Sequence, residues 1–276
     1  MPDDTVTIVC WNMAHKHESW RHLLDAKVDL ALLQEVCRPP DDCAKMIEVD
    51  PAPWSPAEQG GRVRWRTAIA VLSNQVTVEW IGTKPLGQAG PGDLAVSSPG
   101  TLTAARVIPR SGEPFLVVSL YAELERPFRH TGGLIYSDAS SHRLISDLAA
   151  FVARQNGHRL VAAGDLNLMY GYSADGSPYW AGRYRTVFDR LEAMGLFPVG
   201  PQFPDGRRAQ PWPASLPRDS RNVPTWHTIG RPPAMADRQL DYVFASPDIA
   251  LTARALNEPD EWGPSDHCRI TMTVQP

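Results

Sequence analysis

The chain is short of cysteine, of long apolar runs and of positive charge, and each shortage excludes something. Its four cysteines, Cys10, Cys37, Cys43 and Cys268, form no Cys-x-x-Cys pair, so no zinc ribbon or dithiol redox motif is written here. Cys37 and Cys43 are close enough in sequence to bridge, yet so scattered a set reads better as reduced thiols. No run approaches the roughly 20 apolar residues that span a bilayer. The start, Met1-Pro2-Asp3-Asp4, lacks the basic end and apolar core of a secretory leader. The expectation is a cytoplasmic protein that meets no membrane and works as a monomer. Lys and Arg number 27 against 31 Asp and Glu, a formal charge of -4 with a pI near 6.1. No global basic field therefore advertises a polyanionic partner, although a local basic groove is compatible with that average. Internal repeats and linkers are missing too, so residues 1–276 read as one domain.

What is present is a large core and much proline. Hydrophobic residues make up 43% of the chain, enough for a strand-rich α/β body. The 26 prolines are nearly twice the usual share of about 5%. Seven of them fall in 198–224, and an irregular connection that long is more often functional than decorative.

The stretch that organises the chain is Gly164-Asp165-Leu166-Asn167. Leu160-Val161-Ala162-Ala163 leads into it without a charge, as a strand buried on both faces would. An acid and an amide two apart then follow the glycine. Continued extended geometry would send both side chains out on one face at the carboxyl end of the strand. Gly, Asp and Asn also make turns, and on this stretch alone a turn is the commoner outcome.

Other strands end the same way. Residues 5–11 are β-branched and stop at Asn12, and 28–33 are apolar and stop at Gln34-Glu35. Between them a helix capped by Ser19 aligns Trp20, Leu23, Leu24 and Val28. This β–α–β order is the one in which open sheets place sites at strand carboxyl ends. Further strands are expected at 67–72, 103–108, 115–121, 239–245 and 269–274, with 76–80 as a hairpin partner of 67–72. Helices are expected at 140–153 and 184–194, and 82–100 reads as loop.

The polar residues that end or interrupt these runs are Asn12, Glu35, Tyr121, Asp165, Asn167, Asp241, Asp266 and His267. Each alone has an ordinary explanation as a cap, an ion-pair partner or a satisfied core histidine. Together their carboxylates and amides make a hard, oxygen-rich set that suits Mg2+ or Mn2+ better than zinc.

Asn12 in Cys-Trp-Asn, Glu35 in Leu-Leu-Gln-Glu-Val, Gly-Asp-Leu-Asn around Asp165, Asp241 in Leu-Asp-Tyr-Val-Phe, and Ser265-Asp266-His267 occur in one order along the chain. That series resembles the endonuclease/exonuclease/phosphatase superfamily, which includes deoxyribonuclease I-like enzymes, abasic-site endonucleases, neutral sphingomyelinases and inositol polyphosphate 5-phosphatases. The resemblance runs from the first strand to residue 274. It implies a four-layer α/β/β/α sandwich of two mixed sheets flanked by helices, with the site at one rim. It also implies roles: Glu35 as principal metal ligand, with Asn12 and Asp266 beside it. Asp165 would orient or deprotonate the attacking water, and Asn167 would hold that water or a phosphate oxygen. His267, paired with Asp241, would donate to the phosphoryl group, and Tyr121 takes the place of a phosphate-contacting Tyr or His.

The chain departs from the family in Met13-Ala14-His15-Lys16-His17, where many members have a small or glycine-containing turn. Those side chains either reach substrate or form a solvated loop. In 170–186, Trp180 reads as packing, and Arg183 and Arg185 as substrate contacts. Arg62, Arg64 and Arg66, two apart ahead of a strand, would lie on one side and follow a phosphate backbone, or would guard an edge strand. With a further arginine-bearing stretch at 126–129, they favour a nuclease acting on DNA or RNA. The alternative is a hydrolase of a small or lipid-derived phosphate, and a binding module that kept the fold is a third reading.

Overall fold

Strands that are apolar on both faces need cover on both faces, and this requirement organises the architecture. The computed structural model describes residues 5–59, 64–125, 137–152 and 158–276. The first half of the chain gives β1 (Val6–Asn12), α1 (His17–Leu24), β2 (Leu30–Val36), α2 (Asp41–Ala44), β3 (Glu48–Val49) and β4 (Arg66–Val71). It continues with β5 (Val76–Ile81), β6 (Thr83–Pro85), β7 (Leu94–Val96), β8 (Leu102–Pro109) and β9 (Phe115–Tyr121). The second half gives α3 (Asp138–Leu148), β10 (Leu160–Asp165), α4 (Pro178–Ala193), β11 (Phe197–Gly200), β12 (Asp241–Ala245), β13 (Ala250–Leu256) and β14 (Arg269–Gln275).

Two six-stranded mixed sheets result, ordered β13-β14-β1-β2-β4-β3 and β11-β12-β10-β9-β8-β5. The parallel pairs β1–β2 and β9–β10 sit near the middle of their sheets and bring strand carboxyl ends to one rim. Alternation then sorts side chains into three cores. Ile8, Cys10, Leu30 and Leu32 face Val117, Val161 and Val243 between the sheets. Val9, Trp11, Ala31 and Leu33 face outward onto Trp20 and Leu23 of α1. On the far side Ala104, Val118, Leu120 and Ala162 meet Leu144 and Leu148 of α3 and Tyr184 and Phe188 of α4. The four-layer α/β/β/α sandwich expected from the resemblance is thus the fold. Among the described residues no helix is long and apolar enough to cross a membrane. All four cysteines are free.

Gly164 is required where the middle strands meet. A Cβ there would stand 1.8 Å from the carbonyl oxygen of Leu120, its partner on β9. That oxygen belongs to a backbone held in register on both sides and cannot move aside.

Several local expectations need correction. Residues 67–72 and 76–80 do not form a hairpin: β4 pairs with β2 and β3, whereas β5 pairs with β8 in the other sheet. The Ser73-Asn74-Gln75 turn signal marks a crossing between layers. Ser19 lies inside α1 and donates its hydroxyl to the Met13 carbonyl at 3.1 Å instead of capping. Helix α4 starts six residues earlier than expected, at Pro178, with Ser177 as its cap. The 82–100 segment contains the short parallel pair β6–β7. Strand β13, and β11 inside the proline-rich stretch, carry no clear period in sequence.

Candidate active site

The site is built from strand ends at the rim. Strand β2 carries a bulge, its register against β4 shifting between Leu33 and Val36. Glu35 within it has a φ of 49°. A bulge turns one side chain across the pleat. Gln34 follows Leu30 and Leu32 inward, donating to Ser119 Oγ at 2.8 Å, while Glu35, which alternation would turn outward, faces a cavity of about 660 Å3. Left-handed backbone at a non-glycine residue costs energy and recurs at functional sites. Asn167 repeats it with a φ of 50°.

Asp165 and Asn167 converge by a turn. The Asn167 amide N–H donates to Asp165 Oδ1 at 2.8 Å, and the strand ends at Asp165. The turn reading and the strand reading of this stretch are therefore both correct, and the pleat is not what puts the two side chains together. Asp165 Oδ2 accepts Asn12 Nδ2 at 3.0 Å and Asn167 Nδ2 at 3.2 Å, and His267 Nε2 lies 3.8 Å away. On its other nitrogen, His267 donates Nδ1–H to Asp241 Oδ2 at 2.8 Å. Nδ1 is the donor because the carboxylate opposite only accepts. The Thr225 hydroxyl donates to the same Oδ2 at 2.6 Å, and its oxygen accepts the backbone N–H groups of Leu240 and Asp241. With both acceptor positions of Thr225 filled, its proton is committed to Asp241.

Six of the eight strand-end residues, Glu35, Tyr121, Asp165, Asn167, Asp266 and His267, line the cavity. Asn12 and Asp241 are buried immediately behind it. Trp226 donates its indole N–H to Asp266 Oδ2 at 3.1 Å and lies under Arg238. Ser265 donates to the Asn12 carbonyl at 2.7 Å and accepts the His267 N–H at 3.1 Å, tying β1 to the Asp266–His267 corner.

The charges are strongly coupled. Burial pushes Asp165 up to about 8, with Asp241 and Glu35 adding to it against the opposing charge of His267. Burial alone would depress His267, but Asp241 and Asp165 carry it up to about 10. Burial also works to raise Glu35, and here the His15 hydrogen bond and the His267 charge win and hold it below the usual carboxylate value. The phenol of Tyr121 is raised far above its ordinary value by burial and by Glu35 and Asp165, so it stays protonated.

Two groupings could hold a cation. Asp165, Asp241 and His267 bring ligand atoms within 4.8 Å of one another, with Asp241 Oδ2 already taken up by both His267 and Thr225. Glu35, Asn12 and Asp266 offer oxygen donors. Four acids, Glu35, Asp165, Asp241 and Asp266, stand against the imidazoles of His15 and His267. A divalent cation fits this charge and this donor chemistry.

The arginines fare differently. Arg66 is 2% exposed and its Nη1 donates to both Asp50 oxygens, at 2.7 and 2.9 Å. It is a core ion pair under Trp54, and the expectation that it contacts substrate is corrected. Arg62 and the 126–129 stretch lie outside the described residues, and Arg64 is exposed. Arg183 is tied to Asp138 and lies over Trp180, and Arg185 pairs with Asp189 along α4. Neither lines the cavity. Trp180 packs against the outer core.

Sequence reasoning missed Thr225, Trp226, Arg238 and Trp65, all outside regular elements. The only available signal was Pro224-Thr225-Trp226, a small polar residue between two rigid ones at the end of the proline-rich segment. Of the segment left open between substrate contact and solvated loop, His15 and Lys16 line the cavity.

This architecture agrees with that of known proteins. The TRAS1 endonuclease domain, from a telomere-specific non-LTR retrotransposon, superposes with a TM-score of 0.61 at 17% identity, over 99% of this chain and 100% of that one. The AP endonuclease LMAP of Leishmania major gives 0.61 at 15% identity, over 100% and 89%. A mannosyl-6-phosphatase of Bacteroides thetaiotaomicron gives 0.60 at 12% identity, over 98% and 99%. Likeness at these identities is likeness of fold. No curated protein matches the sequence. The family model described as Endonuclease/Exonuclease/phosphatase family matches residues 9–267, from the first strand through His267. The chain belongs to that family, whose members are hydrolytic enzymes acting on phosphoric esters.

Proposed function

We propose that this protein is a Mg2+- or Mn2+-dependent phosphodiester hydrolase acting on nucleic acid. The observation that carries the reading is the buried chain Thr225–Asp241–His267–Asp165–Asn167, set beside the ionised Glu35 on one cavity. Glu35, Asn12 and Asp266 would hold the cation. When bound, it supplies positive charge to a non-bridging phosphate oxygen and so stabilises the charge that builds during attack.

The chain's own groups supply the proton chemistry. A carboxylate raised to about 8 is poised to take a proton from water near neutral pH, which supports Asp165 as general base. Asn167, fixed by Asp165 and by the Ala122 carbonyl at 3.0 Å, orients that water. His267, kept protonated by Asp241, donates to a phosphoryl oxygen. Tyr121 stays a phenol and contacts the phosphate or the Glu35 carboxylate as a donor.

Nucleic acid as substrate is favoured by cations around the cavity. Lys16 and Arg238 line it, and exposed Arg64 precedes Trp65, whose indole stacks on His15. A second reading has its own support: Ile229 is 82% and Leu124 44% exposed on the same cavity. Such an apolar rim suits a small or lipid-derived phosphate ester. An activity panel with Mg2+, Mn2+ or chelator separates the two. Its substrates are duplex and single-stranded DNA, RNA, an abasic duplex, inositol phosphates and sphingomyelin. Metal-dependent cleavage of a polynucleotide, lost in Asp165→Asn and His267→Ala, is expected. Hydrolysis confined to the small or lipid phosphates selects the second reading, and metal-independent activity contradicts both.

A further inference from the structure

We infer that His15 is a nitrogen ligand of the cation at Glu35, giving this site a mixed imidazole–carboxylate donor set. The inference rests on the reading of Glu35 as a cation-binding residue. His15 Nε2 lies 2.8 Å from Glu35 Oε2, and both side chains open on the same cavity. Two donor atoms bound about 2.1 Å from one ion at a right angle stand about 3.0 Å apart. The observed separation is a hydrogen-bonding distance and also matches that bite, so the ion would take the place of the shared proton.

The ring is held in this place by more than the carboxylate. Its face rests on the Trp65 indole, with centroids 4.1 Å apart at 37°. Its backbone N–H donates to the Glu35 carbonyl at 3.0 Å, and Ala14 N–H donates to Asn12 Oδ1 at 3.0 Å. Ala14 and His15 take consecutive left-handed conformations, with φ of 49° and 58°. A part-exposed ion pair contributes little to folding and gives no reason to hold two non-glycine residues there. Metal ligation gives one, because it needs the imidazole presented in a single orientation. Imidazole favours the later first-row ions over Mg2+, so His15 tilts the site toward Mn2+ and its neighbours.

Mn2+ binding to the full chain, followed by electron paramagnetic resonance, tests this without any substrate. Three-pulse echo modulation of the bound Mn2+ reads directly attached 14N. The informative variants are His15→Phe, which keeps a ring for Trp65 and removes the nitrogen, and His15→Asn, which suits the left-handed backbone. Glu35→Gln and His267→Asn are the controls. The expected result is 14N modulation in the parent and in His267→Asn, lost in both His15 variants. Their Mn2+ dissociation constants should rise about 10- to 100-fold. Mn2+ that binds with unchanged affinity in both His15 variants, or more tightly because His15 competes with the ion, overturns the inference alone. So does the absence of 14N modulation in the parent. Binding unaffected by Glu35→Gln overturns the reading of Glu35 as well.

Discussion

Asp241→Asn isolates charge from shape at the centre of the site. Asp241 Oδ2 accepts both the Thr225 hydroxyl and His267 Nδ1–H, at 2.6 and 2.8 Å, while Oδ1 is buried without a hydrogen-bond partner. An asparagine with its carbonyl oxygen at the Oδ2 position keeps both bonds and puts its NH2 where Oδ1 was. The shape of the side chain is kept, but the imidazolium loses its nearest counter-charge and the fold loses the stability that the raised His267 pKa supplies. Burial then dominates, and the pKa of His267 falls from about 10. A hydrogen bond to a charged group contributes about 1.5–3 kcal/mol, so kcat should fall about 10- to 150-fold. The alkaline limb of the pH–rate profile should move toward neutrality, because the protonated imidazole is lost at lower pH. The assay is kcat/KM against pH at saturating Mn2+, with the Mn2+ dissociation constant measured alongside. Activity within twofold of the parent would refute the role of the pair. A parallel loss of Mn2+ affinity would make Asp241 a ligand instead.

Three further outcomes follow from the same geometry. Gly164→Ala drives a methyl into the Leu120 carbonyl, so urea denaturation should show a loss of about 3 kcal/mol or more, and a loss under 1 kcal/mol contradicts the close approach. Arg66→Ala leaves buried Asp50 with only backbone donors and should cost about 3–5 kcal/mol with KM unchanged; a raised KM in a stable variant would return Arg66 to the substrate. Since Asp165 must be ionised and His267 protonated, activity should peak on the alkaline side of neutrality, with limbs that belong to the coupled pair; an optimum near pH 6 contradicts the assignment. The raised pKa of His267 stabilises the fold fully below about 6.5, and that contribution fades as pH rises toward about 10.

The rim was legible in sequence because sheets buried on both faces leave runs such as Leu160–Ala163 that only a strand explains. Asn12, Glu35 and Asp165 stand where those runs stop. What lay between was harder. Thr225 and Trp226 follow a proline-rich stretch without period, so nothing local tells that they return to Asp241 and Asp266. The alternation at Arg64-Trp65-Arg66 is the same for a phosphate-binding edge and for a core ion pair. Asp50, which decides the matter, lies 16 residues away across a strand pairing. Ala250–Leu256 escaped notice because alanine has little strand preference, and its place beside β14 is set by tertiary pairing. The Ser73–Gln75 turn could not disclose that its two strands belong to different sheets.

We expect a divalent cation at Glu35, beside the Asp241–His267–Asp165 chain. Anomalous diffraction from crystals soaked in Mn2+ tests it most directly. A peak within bonding distance of the Glu35 carboxylate is expected, and a peak confined to Asp165, Asp241 and His267, or to a distant surface site, would contradict a cation at Glu35.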